Sequence, residues 1–98
     1  MPKAYLIVET EILDREALKV YAPLAGANID AAGGRRIVVA GRVVAFGGDA
    51  PKHIIISEWD SMDKVQAYRS SDAYKNLSAQ REKALKSIRA YAVEGIGK

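Results

Sequence analysis

The hydrophobic pattern of this 98-residue chain switches several times between a period of two, typical of strands, and a period near 3.6, typical of helices. Residues Ala4–Ile12 alternate and are rich in β-branched and aromatic side chains, which predicts a first strand. Asp14 follows as an N-cap, and apolar residues then recur every three or four positions up to Gly33. This spacing predicts a helix, with a bend near Pro23 because proline lacks an amide hydrogen.

The segment after Gly33 is dense in β-forming residues and is interrupted by Gly41. We interpret Gly41 as a bulge in one long bent strand over residues 35–46, although a hairpin turn at Gly41 would use glycine equally well. A turn at 47–51 then leads into a strand at His53–Trp59. The middle of the chain is therefore predicted to form two strands that follow each other directly.

The last part of the chain is predicted to contain a second helical region and a final strand. Ser61 begins the helical pattern, the polar cluster at 70–72 breaks or re-caps it, and its apolar stripe continues to Ile88. A strand is expected over about residues 89–96. The order β, α, β, β, α, β predicts one α+β domain over residues 1–98, with a ferredoxin-like four-stranded antiparallel sheet and both helices on one face.

Composition and charge exclude several classes of function. The chain has no cysteine and a single histidine, so we expect neither a thiol nucleophile nor a metal site built by one chain. The pair Gly33-Gly34 lacks the spacing of a nucleotide-binding loop and is expected to end a helix, and we predict no cofactor. The net charge is +3, but the basic residues are spaced among acids and the aromatic motif of RNA-recognition domains is absent, so nucleic acid is not an expected partner.

The longest uninterrupted apolar run, residues 4–8, is too short to cross a membrane. The first residues carry no targeting pattern, and a cytoplasmic location is therefore expected.

Arg81 is the most informative candidate, because its spacing places it in the middle of the apolar stripe of the last helical region. A buried guanidinium needs a carboxylate, a bound anion or carbonyl groups as partners. Glu58 is in phase with Ile54 and Ile56 on its strand, so it can pair with Arg81 if that sheet face meets the helices. The pair is then either a structural ion pair or a ligand site in which Arg81 holds an oxygen anion and Glu58 orients it or moves a proton.

Four side chains with rings are further candidates. Tyr74 lies on the same stripe as the arginine, and Tyr21 lies on the apolar face of the first helix, so both can line a ligand pocket, although such tyrosines more often only pack in a core. His53 is opposite in phase to Glu58; a general base is one interpretation, and an exposed or dimer-interface position is the one we expect. Trp59 shares the phase of His53 and is expected to fill a dimer interface.

Several short motifs occur together along the chain, namely Tyr5-Leu6-Ile7-Val8, Tyr21, Gly33-Gly34, Gly48-Asp49, Glu58-Trp59-Asp60-Ser61, Ser70-Ser71-Asp72-Ala73-Tyr74, Arg81 and Glu94-Gly95. This set resembles the family called domain of unknown function 1330, and the resemblance covers nearly the whole chain. It implies membership of the dimeric α+β barrel superfamily, and hence a ferredoxin-like protomer and a homodimer joined through its sheets. The resemblance implies no activity.

Two functions agree with these observations. The first is a cofactor-independent enzyme acting on a small acidic or carbonyl-bearing metabolite, in which Arg81 holds the oxyanion, Glu58 is the acid or base, and Tyr74 and Tyr21 bind the ligand. The second is a non-catalytic ligand-binding or stress-related dimer in which Arg81 and Glu58 are structural. A homodimer is expected in both cases, because a short chain with helices on one face of its sheet leaves the other face uncovered.

Overall fold

The computed structural model describes residues 2–97, in which four strands and four helices follow one another. They are β1 Ala4–Ile12, α1 Arg15–Ala31, β2 Arg35–Val39, β3 His53–Trp59, α2 Met62–Arg69, α3 Asp72–Lys75, α4 Ser78–Ala84 and β4 Leu85–Glu94. The strand order is β2-β3-β1-β4, and all neighbouring strands are antiparallel. The predicted α+β, ferredoxin-like fold is confirmed. Met1 and Lys98, the two ends of the domain predicted over 1–98, lie outside the described residues.

Polar side chains that accept hydrogen bonds from backbone amides mark the beginning of α1, α2 and α3. Asp14 accepts bonds from two amides in the first turn of α1, as predicted. Ser61 caps α2 and Ser71 caps α3 in the same way, which confirms that the polar cluster re-caps the helical region. Helix α1 continues through Pro23 as one helix, and Gly33 follows its end with a φ of 94°. Of the helices in residues 2–97, none combines the length and apolar character that crossing a bilayer demands.

Strand β2 is shorter than the sequence predicts, and the long bent strand over 35–46 is wrong. The strand ends at Val39, and Ala40 adopts a φ of 54°, a left-handed conformation that strands do not contain. Gly41 is therefore neither a bulge nor a hairpin turn; the register irregularity of β2 against β3 lies earlier in the strand. Residues 41–52 contain neither helix nor strand, and their β-forming side chains have no partner strand among residues 2–97.

The boundary between α4 and β4 also differs from the prediction. Helix α4 ends at Ala84, so Leu85 and Ile88, predicted to continue the helical stripe, are strand residues. The last strand is Leu85–Glu94 and not 89–96. The reason is long-range pairing, because β4 forms hydrogen bonds with β1 along the whole length of β1. That pairing overrides a local helical periodicity.

The helices cover the sheet face that holds Trp59. The Trp59 side chain is only 1% exposed, its ring packs against Tyr68 with 5.0 Å between centroids, and its indole N–H donates to Ser57 Oγ over 2.8 Å. The prediction that Trp59 fills a dimer interface is therefore wrong. Because successive strand residues point to opposite faces, Ser57 and His53 also face the helices, whereas Glu58 faces away.

Gly34 provides a direct test of this packing. A Cβ atom at position 34 would lie 2.7 Å from ring carbons of Trp59, and the buried ring has no room to move. We expect Gly34→Ala to lower the free energy of unfolding by about 1–3 kcal/mol. For a domain of this size each kcal/mol corresponds to a Tm decrease of about 4–8 °C in thermal denaturation.

Gly47→Ala is the matched control, because its added Cβ would meet nothing within 4 Å. The control should change the free energy of unfolding by no more than about 0.5 kcal/mol. Equal losses in the two variants would contradict close packing between Gly34 and Trp59.

Candidate functional site

A cavity of about 220 Å³ lies between the helix-covered face of the sheet and the helices. Aliphatic side chains of β1, β3 and α1 form most of its wall. Its ionisable side chains are arginines, tyrosines and one histidine, and no carboxylate of residues 2–97 lines it. A mostly apolar cavity with a few converging polar groups is the usual form of a small-molecule site. Among the polar groups of its wall, Tyr21, Tyr74 and Arg81 lie on the helix side and Thr10 and His53 lie on the sheet side.

Arg81 of α4 lies between Tyr21 and Tyr74, half-buried. Its Nε donates to the Tyr21 hydroxyl over 3.0 Å, its Nη2 donates to the Tyr74 carbonyl over 2.7 Å, and its Cζ is 3.7 Å from the centroid of the Tyr74 ring. Within residues 2–97, no carboxylate oxygen is within 4.0 Å of its nitrogens. Two of the five guanidinium N–H groups are engaged in these bonds, so the others remain for a ligand.

The predicted pair of Glu58 with Arg81 is wrong. Glu58 lies on the face that the helices leave open, where it accepts hydrogen bonds from Arg35 and from the Tyr5 hydroxyl, the latter over 3.1 Å. Both partners are its register neighbours on β2 and β1. The hydrogen bond from Arg35, followed by that from Tyr5, holds the pKa of Glu58 below its usual range. The sheet therefore separates Glu58 from the cavity.

Tyr21 and Tyr74, both predicted as ligand-binding residues, lie in the cavity wall beside Arg81. Their roles toward a ligand stay predictions. Tyr68 meets Tyr74 edge to face, with 5.3 Å between ring centroids, and extends this aromatic wall. Burial raises the pKa of Tyr68 to about 12, so its phenol stays protonated at physiological pH.

His53 lies in the sheet wall of the cavity and is 8% exposed. The prediction of an exposed or interface histidine is therefore wrong. Its Nδ1 lies 2.8 Å from Oγ1 of Thr10, which is its register partner on β1. Burial, and secondly the positive charge of Arg15, lower the pKa of the imidazole below its ordinary value. The signal that could have located His53 was its phase, because the strand places it on the same face as a tryptophan that packs in the core.

The lowered pKa of His53 predicts how stability depends on pH. In the unfolded chain the imidazole takes up a proton near pH 6.5, whereas the folded protein binds it only at lower pH. The unfolded state then binds more protons, so the free energy of unfolding should fall as the pH drops below about 6.5. His53→Gln should remove this part of the decrease in urea denaturation between about pH 5 and pH 8.

The same pKa can be measured directly by proton NMR, because His53 is the only histidine of the chain and its Cε1 and Cδ2 protons give the only imidazole C–H signals. A titration midpoint at or above about 6.5 would contradict the effect of burial.

Comparison with known proteins adds a family and a set of similar structures. The sequence profile of the family described as Domain of unknown function (DUF1330) matches residues 3–96. No curated protein matches the sequence of this chain.

Solved structures share the fold at low sequence identity. A protein of unknown function from Rhodopseudomonas palustris is 15% identical, with a TM-score of 0.74 over 97% of this chain and 83% of that chain. A dimeric protein of unknown function with a ferredoxin-like fold, from Bacteroides fragilis, is 14% identical, with a TM-score of 0.55 over 95% of this chain and 96% of that chain. A proposed antibiotic biosynthesis monooxygenase from Nitrosomonas europaea is 10% identical, with a TM-score of 0.60 over 98% and 93%. These likenesses show the fold alone, and the profile match over residues 3–96 shows that the chain belongs to the DUF1330 family.

Proposed function

We propose that the cavity binds a small organic anion, the carboxylate or enolate form of an acidic or carbonyl-bearing metabolite, and that Arg81 holds its oxygen atoms. The observation that carries this proposal is the half-buried Arg81 guanidinium, whose only hydrogen-bond partners within residues 2–97 are neutral. A charge removed from water without a counter-charge is unfavourable. An anionic ligand supplies that counter-charge and accepts the remaining N–H groups in charge-assisted bonds.

The charges around the cavity favour the same class of ligand. Arg36 and Arg69 also line the cavity. Arg69 lies over the Tyr74 ring, with 4.5 Å between its Cζ and the ring centroid. With positive side chains and no carboxylate among the described lining residues, the potential inside the cavity attracts anions.

The size and lining of the cavity restrict the body of the ligand. A volume of about 220 Å³ suits a small metabolite and not a nucleotide or a polymer. The aliphatic wall and the tyrosine rings suit an apolar or aromatic body attached to the anionic group. The lining side chains can supply charge stabilisation and proton transfer, so we propose chemistry that uses no cofactor.

Replacement of Arg81 tests the anion site. Phenylpyruvate and other small carboxylates, each compared with its neutral amide, are suitable probes in calorimetric titration. We expect Arg81→Leu to weaken carboxylate binding by about 10-fold to 100-fold, the range for a lost hydrogen bond to a charged group. The weaker binding of the amides should change less, because a neutral amide loses a hydrogen bond to Arg81 but no ion pair.

Lys83→Leu is the matched control, because it removes one positive charge from the exposed side of the same helix. It should leave carboxylate affinity unchanged. Equal binding of carboxylates and amides to the wild-type protein, or undiminished carboxylate affinity in Arg81→Leu, would overturn the proposal. A large Tm loss in Arg81→Leu without any carboxylate binding to the wild type would show that Arg81 is only structural.

We also propose that the protein forms a homodimer through the sheet face that the helices leave open. Across the middle of this face runs an apolar row in direct register, formed by Val38, Ile56, Ile7 and Tyr91. An uncovered apolar row of this kind on a small domain favours association. The dimeric description of the Bacteroides fragilis protein, which shares the fold, supports a second copy as the partner.

Two ion-pair clusters flank the apolar row. On one side Glu58 bonds with Arg35 and Tyr5, and on the other side Glu9 accepts bonds from Arg89 and Tyr91. Glu9 is only 5% exposed, and the bond from Arg89 is the main cause that lowers its pKa. Because each carboxylate already has its counter-charge, a second copy can cover both clusters without leaving a charge unpaired.

A charge in the middle of the apolar row should prevent this association. We expect Ile56→Asp to give the mass of one chain in light scattering at micromolar concentration, whereas the wild type gives twice 10.6 kDa. Val20→Asp is the control, because Val20 is 63% exposed on α1 and should leave the dimer intact. A single-chain mass for the wild type would contradict the homodimer.

A further inference from the structure

The sheet wall of the cavity carries a second polar group that anion binding does not use. His53 is buried, and its Nδ1 is engaged with Thr10. Its Nε2 has no hydrogen-bond partner among residues 2–97. Every fully buried side-chain nitrogen or oxygen in that range does have a partner, so Nε2 is not fully buried. Nε2 is therefore accessible, and the ring that carries it lines the cavity.

The surroundings of His53 suit a base. The charged groups that line the cavity with it are Arg36, Arg69 and Arg81, and all three are positive. Burial, and secondly the positive charge of Arg15 on α1, lower the pKa of the ring. Burial and these positive charges favour the neutral form of the imidazole. When Nδ1–H donates to Oγ1 of Thr10, the lone pair lies on Nε2.

We infer that His53 is a general base that removes a proton from the carbon next to the carbonyl group of a bound oxo acid. This inference rests on the proposed anion site. The C–H bond breaks as an N–H bond forms at Nε2, and the electron pair of the C–H bond moves to give an enolate. Arg81 donates hydrogen bonds to the enolate and carboxylate oxygens. The imidazolium then returns its proton to the oxygen or to a carbon, so the net reaction is a tautomerisation or isomerisation with no oxidant or reductant.

Thr10 acts in this scheme as a positioning residue. The contact between its Oγ1 and Nδ1 fixes the orientation of the ring. The scheme requires the tautomer in which Nδ1–H donates to this hydroxyl, because Nε2 is then the proton acceptor. A hydroxyl at this position is sufficient for that role, so serine should replace threonine and valine should not.

Exchange of the benzylic hydrogens of phenylpyruvate in D₂O, followed by proton NMR, tests the base directly. We expect the wild-type protein to accelerate exchange above the buffer rate. His53→Gln should reduce the protein-catalysed rate by about 100-fold or more, as expected for loss of a general base. Phenylpyruvate affinity in His53→Gln should stay within about threefold of the wild type, because a threefold change is below the effect of one hydrogen bond. Lys52→Gln, an exposed neighbour on the chain, should retain the wild-type rate.

The Thr10 variants separate positioning from simple destabilisation. Thr10→Val should lose most of the exchange rate and Thr10→Ser should retain it. In the wild type, the rate should rise with pH and level off above the pKa that NMR measures for His53. A hydrogen-exchange rate that does not follow the pKa of His53 would overturn the inference. Equal exchange rates in Thr10→Val and Thr10→Ser would overturn it as well.

The failure of the base and the failure of the anion site give different results. If phenylpyruvate binds in a manner that depends on Arg81 but exchanges at the buffer rate, or if His53→Gln exchanges as fast as the wild type, the base is wrong and the anion site stands. If phenylpyruvate shows no binding that depends on Arg81, the proposed function fails and the base fails with it.

Discussion

Burial of Trp59 determines which face of the sheet the helices cover. Its ring fills the space between Tyr68 and Gly34, and loss of such a buried ring typically destabilises a protein by about 3–5 kcal/mol. Because the side chains of a strand alternate between its two faces, the position of Trp59 places His53 at the cavity and Glu58 on the opposite face. A slip of one residue in β3 would exchange the two and leave the cavity without an imidazole.

The same alternation separates opposite charges across the sheet. The carboxylates of Glu9 and Glu58 lie on the open face, each bonded to an arginine and a tyrosine. The cavity side holds arginines, and no carboxylate of residues 2–97 lines it. The open face is therefore electrically balanced and can be covered by another protein surface, while the cavity keeps a positive potential that a small anion can neutralise. One sheet thus supports two different kinds of contact.

Local signals in the sequence predicted β1, β3 and the helix caps at Asp14 and Ser61, because each depends on residues close together in the chain. They did not predict which face of β3 meets the helices. The run 54–56 is three isoleucines, so both faces look equally apolar, and only the packing of Trp59 decides between them. The second half of the long strand predicted over 35–46 is absent for a different reason. Its β-forming side chains are present, but a strand also needs a partner strand, and this segment has none among residues 2–97.

Arg81 was located from a predicted helical stripe, although two members of that stripe, Leu85 and Ile88, lie on β4. The partner assigned to Arg81 depended on a sheet face that the sequence leaves ambiguous. The wrong partner matters for the chemistry. A carboxylate in contact with Arg81 would neutralise the guanidinium, occupy its N–H groups and leave little reason for an anion to enter. With Glu58 bound to Arg35 behind the sheet, Arg81 meets only a phenol hydroxyl, a carbonyl and an aromatic ring. Those neutral partners hold the guanidinium in place without cancelling its charge, and a positioned but uncompensated cation is what an anion site requires.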